Sequence, residues 1–339
     1  MGRHEGGGAA RVSAVRIPDF FIVGHAKCGT TALYEMLKAH PQIFMPEYKW
    51  GAGKEPWYFS RDNPQPQTDN VRSVSFTGRR AVTLEEYTAL FAGARADQLV
   101  GEASTSYLWS TTAAERIAQA RPDARIIAIL REPASFLRSL HLQLLQNHHE
   151  VERDFRKAVE LDDARRAGRE IPLHSYWPQA LIYSDRVRYA EQLRRYETVL
   201  APEQILVLIY DDFRSDNAAT VRRVLQFLGV GEDFTVPEVE VNPTIAIRKP
   251  RLQRVLRNLY LGRGPLLRSA KAVGKTLTTN RLRRAIYYPG TRRLVWGEPP
   301  PADQAFMEAL RVRFKGEVVA LSEHLGRDLV SLWGYDTIE

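Results

Sequence analysis

Apolar and polar positions alternate along this chain between two patterns. Four short, continuous runs of branched or aromatic residues, Asp19 to Val23, Gln98 to Gly101, Arg125 to Leu130 and Gln204 to Tyr210, read as strands covered on both faces, as in a parallel sheet. The stretches between them have helical spacing. Thr31 to Ala39 groups Leu33, Met36 and Leu37; Pro133 to Gln146 groups Leu137, Leu140, Leu144 and Leu145; Ser184 to Leu200 groups Val187, Leu193 and Tyr196. Strands alternating with helices predict an α/β layered fold with a central parallel β-sheet flanked by helices. Pro46 to Arg80 departs from both patterns, with Pro46, Pro56, Pro64 and Pro66 interrupting it, and a loop of that length inside a compact domain is usually functional or mobile. No repeat or Ser/Gly-rich linker divides the chain, so one domain is predicted over residues 16–338.

Composition narrows the class. With 44% apolar residues, the 339-residue chain can bury a sizeable core, yet no apolar run approaches the roughly 18 residues that cross a bilayer. The single cysteine, Cys28, excludes an intramolecular disulfide. Met1 to Ala10 is Gly-rich, lacks an apolar signal core and has Gly6 where myristoylation needs Ser or Thr; residues 1–15 read as a disordered leader. The expected setting is reducing and cytoplasmic. Charge is unevenly placed: 14 Lys or Arg and no Asp or Glu lie between Arg248 and Trp296, so the remaining 34 basic residues face all 40 acidic ones and carry a net −6. The excess positive charge is one late segment, 248–296.

The first strand runs into Gly24-His-Ala-Lys-Cys-Gly-Thr-Thr31 and then a helix. This order makes an anion cradle: Gly24 and Gly29 permit a tight turn, amides at a helix N-terminus point outward, and Lys27 adds a full charge. It is not a Walker A loop, because the lysine precedes the last glycine. An ordinary strand-to-helix turn with Thr30 as N-cap is the plainer alternative.

Gly24-x-x-Lys27-x-Gly29-Thr30-Thr31 resembles the 5′-phosphosulfate loop of sulfotransferases that use 3′-phosphoadenosine-5′-phosphosulfate (PAPS). Leu130-Arg131-Glu132-Pro133, with Ser139 eight residues past Arg131, is similar to that family's 3′-phosphate element. Lys54-Glu55-Pro56-Trp57-Tyr58-Phe59, Gly101-Glu-Ala-Ser-Thr-Ser-Tyr-Leu108 and Leu325-Gly326-Arg327-Asp328-Leu329 with Trp333 resemble motifs of the carbohydrate, heparan-type branch and its bacterial relatives. The order of these motifs over about residues 19 to 335 is the specific signal. The chain departs from that branch at Ala103, where a Lys near the acceptor is frequent, at Trp57, which replaces a polar position, and at Phe136, where an Arg is common beside the 3′-phosphate; Arg138 stands next to Ser139 instead.

The resemblance implies a single P-loop-like α/β domain and transfer of a sulfuryl group from PAPS to a hydroxyl or amine of a carbohydrate, glycolipid or small metabolite. It implies cofactor contacts from His25, Ala26, Lys27, Cys28, Gly29, Thr30, Thr31, Arg131 and Ser139, with Arg248 and Lys249 closing over the 3′-phosphate. Lys27 would neutralise the leaving phosphate. Glu55 is the expected general base; burial among Trp57, Tyr58 and Phe59 would raise its pKa toward neutrality, whereas pairing with Lys54 on a solvated loop would leave it a surface group. His25 is the second-choice base. His141 reads as structural, and His148 and His149 suit a helix C-terminus. Asp211 and Asp212 read as caps of a helix starting near Ser215. No His/Cys/Asp cluster has metal-ligand spacing, so no metal is implied.

The basic segment has three readings: a solvated surface, a groove for an anionic acceptor, or an amphipathic patch touching an anionic membrane at its inner face. No nucleic-acid partner is expected. The competing functions are a nucleotide-dependent phosphotransferase with an atypical phosphate loop and a non-catalytic polyanion or membrane binder.

Overall fold

A computed structural model describes residues 16–47, 54–60, 83–147, 149–172, 175, 177–237, 246–247 and 296–338. The expected leader, Arg248, Lys249, His148, most of the Pro46 to Arg80 loop and nearly all of the basic segment lie outside them.

The described residues build a five-stranded, all-parallel sheet from β1 (Phe20–Ile22), β2 (Ile43–Phe44), β3 (Leu99–Glu102), β4 (Arg125–Leu130) and β5 (Ile205–Ile209), in the order β2-β3-β1-β4-β5. The continuous apolar runs have the meaning expected of them: Phe20, Phe21 and Ile22 of β1 and Ile126 to Leu130 of β4 are fully enclosed. Register is set by pairs such as Phe20 with Gly101 and with Arg125, and Ile126 with Ile205. Strand β2, only two residues long, is too short to leave a pattern in the sequence.

Helices cover the sheet. They are α1 (Thr30–Lys38), α2 (Leu84–Thr88), α3 (Ala113–Ala120), α4 (Pro133–Gln146), α5 (Phe155–Glu160), α6 (Asp162–Arg166), α7 (Tyr189–Glu197), α8 (Tyr210–Ser215), α9 (Asn217–Leu228), α10 (Gln304–Leu325) and α11 (Leu329–Leu332). The bounds of β4 and α4 match the sequence expectation. Helix α4 starts sharply because Pro133 occupies its first turn and the Glu132 carboxylate accepts from the amides of Ala134 and Ser135. The helix expected over Ser184 to Leu200 is split into a 3₁₀ turn, Ser184–Val187, and α7. Helix α10 packs along α4 and α7. Its apolar residues Phe306, Met307, Leu310, Phe314, Val318 and Leu321 recur three and four apart, a signal present in the sequence although the motif series drew attention elsewhere. A two-residue antiparallel pair, β6 (Ala246–Ile247) and β7 (Trp296–Gly297), joins the chain on either side of the basic segment, and β6 runs beside α4.

Asp211 and Asp212 do not cap a later helix, as the sequence suggested. They lie in the first turn of α8, where Asp212 holds the Arg327 guanidinium through both oxygens (2.5 and 2.8 Å) and Asp211 accepts from Trp333 Nε1 at 2.9 Å. The cap of α9 is Asp216, whose carboxylate accepts from the Ala219 amide.

Gly24 fixes how closely the loop after β1 approaches β4. A methyl group placed on it would lie 2.7 Å from the carbonyl oxygen of Ile129 and 2.9 Å from its amide nitrogen. These are backbone atoms of an enclosed strand and cannot swing aside. Gly24→Ala is therefore expected to lower stability by about 1–3 kcal/mol or more, read as a drop in the urea midpoint at unchanged m-value; an unchanged midpoint would refute the close-packing account.

Candidate active site

Because all five strands are parallel, their carboxyl ends share one edge of the sheet, the edge at which open α/β sheets bind ligands. Lys27 follows β1, Thr105 follows β3, Arg131 follows β4 and Tyr210 follows β5. The topology thus brings Lys27 and Arg131, which the sequence predicted, to one edge with Thr105 and Tyr210, which it did not.

In the loop after β1, Lys27 has φ 69° and Gly29 φ 90°, so the chain reverses through two left-handed residues. A side chain on Gly29 would meet the Phe213 ring at 2.9 Å, which reserves the position for glycine. Gly29, not Thr30, is the N-cap of α1, and no side chain caps it. The plainer reading with a Thr30 cap fails on this point, and the first-turn amides keep their capacity for an anion. Arg131 Nη1 donates to the Lys27 carbonyl at 3.0 Å, and its guanidinium lies 4.8 Å from the centre of the Tyr210 ring. Burial, and next the neighbouring Arg131, lower the Lys27 pKa. Two cations held this close, with no anionic partner among the described residues, describe a site shaped for one.

Arg131 and Ser139 line a cavity of about 250 Å³ together with Ser135 and Arg138. This answers which side chain near Ser139 faces it: Phe136 is fully buried against the His25 ring, and Arg138 lines the opening.

His25 does not fit either role expected of its side chain. It is enclosed between Phe136 and Tyr189. The Gln192 amide donates its N–H to the Asp185 carbonyl, so its oxygen accepts from His25 Nε2 (2.9 Å), while His25 Nδ1 accepts from Arg186 (3.2 Å). Both ring nitrogens are occupied. Burial, followed by the Arg186 charge, holds the pKa well below the usual histidine range, and with no solvent path the ring cannot shuttle an acceptor proton. Cys28 is similarly enclosed, its thiol pushed up to about 12 by burial; it contributes backbone, not sulfur chemistry. His141 is structural as expected, bonded to Tyr183 Oη at 2.8 Å. His149 is lowered to about 4 by burial and stacks on Trp177, so it is uncharged at neutral pH and cannot serve a helix dipole.

Glu55 is held rather than buried. Its Oε1 accepts from Lys54 Nζ at 2.8 Å and its Oε2 from Thr105 Oγ1 at 3.2 Å. The pairing with Lys54 forms, but on no solvated loop: the Lys54 side chain is 3% exposed and that of Glu55 25%. The aromatic residues after it do not enclose the carboxylate as expected. Tyr58 stacks on Tyr87, Phe59 packs edge-on against Phe21, and Trp57 packs against Trp177.

Two motifs recognised separately in the sequence are zipped together here. The Ala103 amide donates to the Lys54 carbonyl (3.1 Å), the Trp57 amide to Ser104 Oγ (3.0 Å), the Phe59 amide to Tyr107 Oη (3.3 Å), and the Ser60 and Ser106 hydroxyls bond at 2.7 Å. At the root of this seam sits Glu102, fully enclosed and accepting from Tyr87 Oη and Ser104 Oγ, both at 3.0 Å. Sequence reasoning passed over Glu102, Thr105 and Arg186 as functional supports; for Glu102 the usable signal was a carboxylate at the end of an apolar strand. Among the described residues no group of three or more His, Cys, Asp or Glu could hold a metal ion.

This edge, with a helix N-terminus that no side chain caps and a cationic cavity joined through Arg131, belongs to an α/β protein of P-loop-like build. A model of the sulfotransferase family matches residues 18–233, and the chain belongs to that family. Carbohydrate sulfotransferase 15 of Mus musculus is 27% identical over 302 residues, covering 72% of this chain and 51% of the relative. The bifunctional heparan sulfate N-deacetylase/N-sulfotransferase 3 of Homo sapiens is 26% identical over 223 residues, covering 66% and 23%. This chain therefore spans about half the length of the first and a quarter of the second. The crystal structure of a sulfotransferase from Alicyclobacillus acidocaldarius superposes with a TM-score of 0.64 at 26% identity, over 94% of this chain and 99% of that one.

Burial raises the Glu102 pKa to about 8, with hydrogen bonds from Tyr107, Tyr87 and Ser104 opposing and Glu55 adding slightly. The folded state thus holds this proton where the unfolded chain, near 4.3, has lost it, so its contribution is fully present below about pH 4.3 and is lost as pH rises toward 8. Glu102→Gln is expected to flatten this slope: equal to the parent at about pH 4 and more stable by at least about 1 kcal/mol at pH 9 in urea unfolding. A parallel pH profile for the two proteins would count against the buried, protonated carboxyl.

Proposed function

We propose that the protein transfers the sulfuryl group of PAPS to a hydroxyl or amine of a carbohydrate acceptor, with glycolipids and small metabolites as the wider class. The observation that carries this reading is the direct bond from Arg131 to the Lys27 carbonyl, which sets the loop after β1 and the Arg131–Ser139 cavity side by side. Two adjacent anion sites suit a nucleotide with a phosphosulfate on one arm and a phosphate on the other better than a single triphosphate chain. The names of the relatives point to carbohydrate acceptors.

In this reading PAPS supplies the activated sulfur, and the chain's residues position charge. Loop amides and Lys27 take the 5′ end, with Lys27 balancing the negative charge that grows on the departing phosphate oxygen. Arg131, Arg138 and Ser139 take the 3′-phosphate by charge-assisted bonds. Glu55, aimed by Lys54 and Thr105, removes the acceptor proton as its oxygen or nitrogen attacks sulfur and the sulfur–oxygen bond to phosphate breaks, the electron pair leaving on the phosphate.

Calorimetry with 3′-phosphoadenosine-5′-phosphate against ATP with Mg²⁺ tests the nucleotide. Preference for ATP–Mg²⁺ favours a phosphotransferase and overturns the proposal. Transfer from labelled PAPS to a cell extract identifies the acceptor. Once it is in hand, Glu55→Gln is expected to lower turnover about 10²- to 10⁴-fold with nucleotide affinity within about threefold of the parent; wild-type turnover would remove Glu55 as the base. Lys27→Ala is expected to weaken 3′-phosphoadenosine-5′-phosphate binding about 10- to 100-fold.

A further inference from the structure

The family match ends at residue 233, yet helix α10, 71 residues and more beyond it, reaches back to the cationic cavity. Among the described residues, six polar ones line that cavity: Arg131, which follows β4, Ser135, Arg138 and Ser139 from α4, and Gln304 and Arg311 from α10; the other two described lining residues are apolar and none is acidic. Three guanidinium groups facing one space of about 250 Å³, with no carboxylate among its described lining residues, repel one another and favour an anion between them.

The three arginines are not equally engaged. Arg131 is tied to the Lys27 carbonyl, and Arg138 donates to the Pro300 carbonyl. Arg311 has the nearest carboxylate, Glu132, at 3.7 Å from its Nε, beyond hydrogen-bond reach, and that enclosed Nε has no hydrogen-bond partner among the described residues. Glu132 cannot readily serve it, because its oxygens already accept from the amides of Ala134 and Ser135 and from Tyr335 Oη at 2.7 Å. Arg311 is thus drawn to the cavity by a carboxylate that is spoken for, with its fork left to bind something else.

We infer that Arg311 is a specificity-determining residue of the nucleotide site: it completes the grip on the 3′-phosphate, so that discrimination between 3′-phosphorylated and 3′-hydroxyl nucleotides depends on a helix outside the family match. The inference rests on the reading of the cavity as the 3′-phosphate site. Arg311 leaves the 5′ end to Lys27 and the loop, so its loss should act on one end of the nucleotide only.

The test is calorimetric titration of the full chain with 3′-phosphoadenosine-5′-phosphate and, separately, adenosine 5′-phosphate. Arg311→Gln is expected to weaken the first about 10- to 100-fold and the second by less than about threefold, because one charge-assisted, forked contact is removed from the 3′ side alone. Arg311→Lys, which keeps the charge and loses the fork, should fall between. Retained binding of adenosine 5′-phosphate certifies that a variant is folded; should the Gln variant fail to fold, the ratio for the Lys variant decides. Equal weakening of both ligands, or none, overturns the inference. A parent protein that binds both nucleotides equally overturns the 3′-phosphate reading itself, and this inference with it, an outcome distinct from a parent that discriminates and a variant that still does.

Discussion

The site is governed by the bond between Arg131 and the Lys27 carbonyl. It exists because β1 and β4 are neighbours and run the same way, so their carboxyl ends emerge side by side, and because Gly24 lets the first loop press onto Ile129. Its consequence is electrostatic. A guanidinium and an ammonium are brought together in a partly enclosed place, at the expense of a lowered Lys27 pKa and a lysine in left-handed backbone. Such an arrangement is unfavourable to an empty protein and favourable to one holding an anion, which is what preorganisation means in free-energy terms. The surrounding structure carries the strain: Tyr189 Oη donates to the Arg131 carbonyl at 3.0 Å, and β4 is enclosed on both faces.

The segment that carries Glu55 is built differently. Glu55 does not gain its position from burial; it gains it from a seam of backbone and hydroxyl bonds to the segment after β3. The enclosed carboxyl is Glu102, at the root of that seam. The two acids divide the work: one is enclosed, holds its proton toward neutral pH and anchors a strand end, while the other is fixed between Lys54 and Thr105 and stays open to solvent. A carboxylate held by hydrogen bonds on both oxygens is oriented without being enclosed.

What could be read from the sequence followed from local physics. The bounds of β4 and α4 were legible because an uninterrupted apolar run ends at Leu130 and a proline starts the next helix. The tight turn after β1 was legible because its glycines set the backbone within eight residues. The direction of the His25 side chain was not, because it depends on Arg186 and Gln192, more than 150 residues away. The same holds for Asp211 and Asp212, whose partners Arg327 and Trp333 lie over 110 residues on. The zipping of the Glu55 segment onto Gly101 to Leu108 required β2 and β3 to be placed first, and β2 left no pattern.

The C-terminal element shows why motif order alone understates a structure. In the sequence, Leu325 to Trp333 served only as a point of resemblance. In the fold it is a set of three latches onto the carboxyl edge: Arg327 on Asp212, Trp333 on Asp211 and Tyr335 on Glu132. The first two fasten α8, whose first residue, Tyr210, lies under Arg131 and whose Phe213 walls off Gly29; the third occupies the carboxylate that starts α4. Helix α10 is therefore docked at the carboxyl edge by residues that also shape the surroundings of Arg131 and Gly29. A change in how that helix seats would be felt at Arg131 and Gly29 together, which couples a late segment of the chain to the geometry of its first loop.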